Sequence, residues 1–190
     1  ATQLEARSSK VPHTDAMTYF ARALGAARSG EAAAAEKGVQ ELARIVDGLK
    51  TAKNDYWATE VEVQRMSAAA WTGYANGNRD EALTLMRSAA EMEDKSEKHA
   101  VTPGRLVPAR ELLGEMLLEM KRPAEALKEF ETSEKHDPNR FRGLYGAAQA
   151  AAQSGDGTKA KRYFTQLVEL AGKGDSRPEL EQAKKYLAAK

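Results

Sequence analysis

A spaced pair of one small and one large residue recurs along the chain. Ala126 is followed four residues later by Phe130, and the pair returns 34 residues on as Ala160 and Phe164. Ala82 and Met86 take the same places 44 residues before the first pair, and Ala35 stands 47 residues before Ala82 with Val39 at its i+4 position. A small residue with a large one four positions on places both on one helical face. The small side chain lets a neighbouring helix approach, and the large one fills the gap between successive units. A period of about 34 residues is that of stacked helix pairs, none of which can bury its apolar face alone. The interval of 44 is one period plus ten, so an insertion separates the second unit from the third.

The punctuation between periodic stretches agrees with this. Ser29-Gly30-Glu31, Asn76 to Asp80 and Gln153 to Gly157 are breaker clusters, and Pro123 suits the first turn of a helix. Leu112, Leu113, Met116, Leu117 and Met120 form one apolar stripe of helical period. These signals predict nine helices, at about 14–29, 31–50, 55–75, 79–97, 108–121, 123–136, 140–153, 157–171 and 178–189. The last opens at Pro178, carries Leu180, Ala183 and Leu187 on one side, and is expected to cap the stack. Residues 1–12 are polar and aperiodic, and are expected to be flexible. The expectation is therefore an all-α, antiparallel helix-hairpin solenoid in a single domain over 13–190. Its units run at about 16–50, 55–96, 107–140 and 141–174.

Composition restricts partners more than fold. Lys plus Arg is 29 and Asp plus Glu is 28, a net charge of +1 that gives no global attraction to nucleic acid or anionic lipid. The part from Asn139 onward is mildly basic, with ten Lys/Arg against five Asp/Glu. Yet Arg140, Arg142, Lys159, Lys161 and Arg162 are interleaved with acids and lack a stacking platform for bases, so nucleic acid is not an expected partner. No apolar run approaches the roughly 18 residues needed to cross a bilayer, so membrane insertion is not expected. With no cysteine there is no disulfide or thiol chemistry, and either a cytoplasmic or a periplasmic setting is open. The first residue is Ala1, which points to a processed product or a segment of a longer parent chain.

The register of Leu113, Gly114, Leu117, Ala126, Phe130, Ser133 and Pro138 resembles the tetratricopeptide repeat, and the other units are degenerate versions of it. The resemblance implies a concave surface, lined by the first helix of each unit, that binds a peptide, a helix or a neighbouring domain of a protein; no cofactor is expected. The positions it implies for that groove are Trp71 and Tyr74, then Glu111, Glu115 and Glu119, then Arg142, Tyr145 and Gln149. The three glutamates are four apart and form one stripe. Some members of the family grip acidic chaperone tails with Lys, Arg and Asn. Ser67, Trp71, Glu111 and Glu115 stand at those positions here, so that partner class is not expected.

The insertion offers a second candidate surface. Thr102-Pro103-Gly104 breaks the chain, and long loops on repeat proteins often carry contacts, which makes His99, Thr102, Pro103 and Arg105 candidates. A metal site in the acidic 91–99 segment would use Glu93, Glu97 and His99. However, His99 falls off the face shared by Glu93 and Glu97, and no second histidine lies at ligand spacing. No nucleophile elbow, phosphate-cradling loop or cysteine–histidine pair occurs, so catalysis is not expected. Two function classes remain beside the binding scaffold: a self-associating assembly element and a metal-dependent protein.

Overall fold

The computed structural model describes residues 4–5, 9–96, 105–171, 174 and 177–189. Among the described residues there are nine α-helices and no strand: α1 (Pro12–Arg28), α2 (Ala32–Thr51), α3 (Asp55–Ala75), α4 (Arg79–Lys95), α5 (Ala109–Glu119), α6 (Pro123–His136), α7 (Phe141–Gln153), α8 (Gly157–Ala171) and α9 (Pro178–Ala188). Proline occupies the first turn of α1, α6 and α9, where its missing N–H costs nothing and its fixed φ suits the helix. Helix α1 therefore starts two residues before the expected Thr14, with the Thr14 amide donating to the Val11 carbonyl at 3.0 Å. No described helix is long and apolar enough to cross a membrane.

The chain divides into two compact units, residues 1–109 and 110–190, where the sequence suggested one array over 13–190. In the first, α1 packs on α2, α2 and α1 on α3, and α3 on α4. In the second, α6 packs on α7, α7 on α8, and α8 on α9.

The reversal inside each helix pair has one recurrent geometry. Gly30, Gly77 and Gly155 have φ of +80°, +91° and +84°, and Lys121 has +60°. Each lies five residues before the small alanine of its unit. The next amide then reaches back five residues: Glu31 to Ala26, Asn78 to Gly73, Arg122 to Leu117 and Asp156 to Ala151, each at 2.9 Å. This closes the helix end by satisfying a carbonyl that has no intrahelical donor.

The small and large positions behave as expected in three of the four pairs. Ala35, Ala82, Ala126 and Ala160 are all buried, as are Met86, Phe130 and Phe164. Val39 is only half-buried, a departure from the expected gap-filling role. The close contact there is made by its neighbour Gly38, where an added β-carbon would sit 2.7 Å from Ala23 Cβ. Phe130 is held between two glycines, Gly114 of α5 and Gly146 of α7, either of which would overlap its ring if it carried a β-carbon.

Candidate functional site

In the second unit, the acidic stripe of α5 meets arginines from the start of α7. Arg140 Nε donates to Glu111 Oε1 at 2.7 Å. Arg142 grips Glu115 through Nε at 2.8 Å and through Nη2 at 2.5 and 2.6 Å, the fork geometry that suits a planar guanidinium. Glu111 is 1% exposed, which corrects the expectation that it lies on an open surface. Gly143 permits this burial, because a β-carbon there would stand 3.1 Å from Glu111 Oε1. Loss of water pushes the Glu111 carboxyl above the usual range, and Arg140 opposes that shift only in part. Glu119 is exposed at the end of α5.

Farther along α7, Tyr145 and Gln149 join Gln182 of α9. The Tyr145 hydroxyl donates to Gln182 Oε1 at 2.5 Å, while Gln149 Nε2 donates to the Tyr145 oxygen and, at 3.3 Å, to Gln182 Oε1. Burial, reinforced by the negative charge of Glu179, raises the Tyr145 phenol above its ordinary value and keeps it a donor. The Tyr145 ring also meets Phe164 edge-on at 6.5 Å, and Phe164 contacts Tyr186 of α9 at 4.7 Å. Gln182 is not among the residues expected from the sequence, where the last helix carries only the expectation of a cap.

In the first unit, Trp71 is 2% exposed and does not present its ring to solvent. Its large apolar area is better buried than hydrated. The Arg28 guanidinium lies 4.5 Å from the ring centre, and half-buried Tyr74 packs edge-on at 5.7 Å with Arg79 over its own face.

Arg105 also turns inward, with a side chain only 14% exposed. Its Nη2 donates to the Glu93 carbonyl at 3.0 Å and to Ser96 Oγ at 2.9 Å. Its Nε lies 3.3 Å from Glu93 Oε1 and 3.9 Å from Glu60 Oε2. Glu93 Oε2 accepts the Ala109 amide at 2.7 Å, placing a carboxylate on the positive end of α5. Arg105 thus fastens the returning chain to α4 instead of serving as an exposed loop contact, and Glu93 is occupied by these internal partners. Glu97, His99, Thr102 and Pro103 lie outside the described residues. Among the described residues no group of three or more His, Cys, Asp or Glu is arranged to hold a metal.

Two basic residues of the second unit, Lys159 and Arg162, also have internal partners. Lys159 pairs with Glu131 at 2.8 Å, Arg162 Nη2 donates to Tyr163 Oη at 2.6 Å, and Tyr163 donates to Glu131 at 3.0 Å.

The architecture is that of a tetratricopeptide-like helical-repeat protein. A Podosopora anserina protein described as a kinesin light chain with nearly identical TPR-like repeats is similar over 95% of this chain and 87% of that one, at 17% identity and a TM-score of 0.61. Its Q17M form is similar over 96% and 87%, again at 17% identity and 0.61. PcrH from Pseudomonas aeruginosa is similar over 67% of this chain and 90% of that one, at 20% identity and 0.50. No protein-family model matches the sequence, and no curated protein matches it. Identities this low establish shared architecture and leave function to the sites.

Proposed function

We propose that this chain is a non-catalytic scaffold that binds a protein or peptide, and that the α7–α9 surface of the second unit holds an extended segment of that partner. The observation that carries this reading is the closed Tyr145–Gln149–Gln182 network. Gln149 and Gln182 each spend one side-chain group on it. That leaves Gln149 Oε1 as an acceptor and Gln182 Nε2 as a donor, neither with a partner among the described residues. The two amides are in contact, and Gln182 is exposed. An acceptor beside a donor complements the N–H and C=O of a peptide group. Because the network fixes the side chains beforehand, little rotamer freedom is lost on binding.

The acids of α5 do not favour a basic peptide in this reading, since Glu111 and Glu115 already answer Arg140 and Arg142. Main-chain recognition is the better fit. The test is selection of binders from a displayed random peptide library, followed by measurement with a Gln149→Ala/Gln182→Ala variant whose helicity is intact. Losing two hydrogen bonds should weaken selected peptides by about tenfold or more. Peptides that bind both forms equally would show that this surface is not the site.

A further inference from the structure

Beside the Tyr145–Gln149–Gln182 network stands a carboxylate that the chain itself leaves unanswered. Four other glutamates of the second unit have internal cations: Glu111 has Arg140, Glu115 has Arg142, Glu131 has Lys159 and Glu181 has Lys184. Glu179, in the first turn of α9, is half-buried, yet its carboxylate forms no hydrogen bond or ion pair among the described residues. A carboxylate that has lost part of its water and gained no counter-charge favours a cation brought to it from outside.

Its place ties it to the network. Glu179 and Gln182 stand at i and i+3 of α9, on one face. The contacts of Phe141 with Arg177 and of Tyr145 with Gln182 run in the same order along α7 and α9, and Glu179 falls between them. Burial raises the Tyr145 phenol, and the Glu179 charge is close enough to add to that rise. The two cations of this interval are engaged elsewhere. Arg142 is gripped by Glu115, and the Arg177 guanidinium lies over the Phe141 ring, 4.9 Å from its centre. Neither forms an ion pair with Glu179.

We infer that the extended segment held on the α7–α9 surface carries a lysine or arginine at one position, and that Glu179 pairs with it. The pairing rests on the peptide reading of that surface and adds selectivity to it. The two amides recognise a main chain, which any sequence offers, whereas Glu179 distinguishes one side chain beside it. The demand is for a single cation at this place, not for a basic segment as a whole, since Glu111 and Glu115 already have their arginines.

The test selects peptides from a displayed random library on the full chain and on its Glu179→Gln form, with the Gln149→Ala/Gln182→Ala form beside them. Lys or Arg should be enriched at one position of the peptides that depend on Gln149 and Gln182. Replacing that residue by norleucine, or Glu179 by Gln, should each weaken binding about three- to fivefold, as befits an ion pair at a partly solvated edge. Both changes together should weaken it no more than either alone, and added salt should shrink the effect. Damage to α9 from the substitution would instead weaken the lysine and norleucine peptides alike. Peptides that depend on the two glutamines but show no basic preference, or one that survives Glu179→Gln, overturn the pairing and leave the surface reading standing. Enrichment of Asp or Glu, matched to Arg177, overturns it as well. A selection with no peptide dependent on Gln149 and Gln182 removes the surface reading and the pairing with it.

Discussion

The ring of Phe130 lies so close to Gly146 that a β-carbon on the glycine would overlap it, and Gly114 stands in the same relation to another edge of that ring. The largest side chain of α6 can be buried only where two other helices give up their own. Gly146→Ala should destabilise the protein by about 1–3 kcal/mol through overpacking. Urea denaturation followed by circular dichroism measures this, and adding Phe130→Leu should recover part of the loss. An unchanged midpoint in the single variant would mean that the ring yields without strain.

Lys121 adopts a left-handed conformation at the turn position where the other three units have glycine. A side chain there costs about 1–2 kcal/mol, offset in part by the greater freedom glycine has in the unfolded chain. Lys121→Gly is therefore expected to stabilise by about 0.5–1 kcal/mol. Gly155→Ala should move the denaturation midpoint the other way. Shifts of the same sign in both would refute the comparison.

Glu93 serves the Ala109 amide and the Arg105 guanidinium together, and it is buried. Glu93→Ala removes the acceptor of the Ala109 amide and the carboxylate that lies 3.3 Å from Arg105 Nε, while the Arg105 bond to the Glu93 carbonyl remains, for an expected loss of about 1–3 kcal/mol. Hydrogen exchange should rise at the first turn of α5 more than in α2. Uniform protection across the two helices would deny the local role.

Two groups give opposite pH dependences. Burial raises the Glu111 carboxyl above 4.5, so between 4.5 and its folded value the native state holds the extra proton and stability falls as pH rises. Burial lowers His13 below 6.5, where it stacks on Trp57 at 3.7 Å; the unfolded state then takes up the proton first, and stability is lost as pH falls below 6.5. Glu111→Gln should flatten the first slope and His13→Gln the second. Denaturation midpoints from pH 4 to 8 (a range of about four units spanning both reference values) show whether each variant removes its own slope and spares the other.

The helices were legible because their signals are local. Pro123 and Pro178 mark starts, the glycines at 30, 77 and 155 mark reversals, and the alanine spacing reports which faces pack, whereas the start at Pro12 lies two residues before the expected one. The polar surfaces were less legible, because their partners are remote. Glu111 and Glu115 meet arginines 29 and 27 residues away, and Glu93 reaches an amide 16 residues on. These partners lie on different elements, so the period of one helix does not announce them. Repeat register placed Glu111 and Trp71 correctly along their helices, but whether a position is open or covered depends on neighbours such as Gly143 and Arg28, which the register does not specify. Arg105 was misread for the same reason: a charged residue in a loop is usually solvated, and this one has buried partners.

The recurrent left-handed reversals also bear on how the chain finds its fold. Each turn is closed by an amide only five residues from its carbonyl, so a helix pair can double back with little loop-closure entropy before it meets any other pair. Chains dominated by such short-range contacts fold in microseconds to milliseconds, at about the fast end of the range for small domains. Contacts such as Glu111 with Arg140 must wait until hairpins have formed. The slow step is then expected in the docking of helix pairs on one another, and Lys121, the left-handed reversal residue that is not glycine, marks the turn expected to cost most to close.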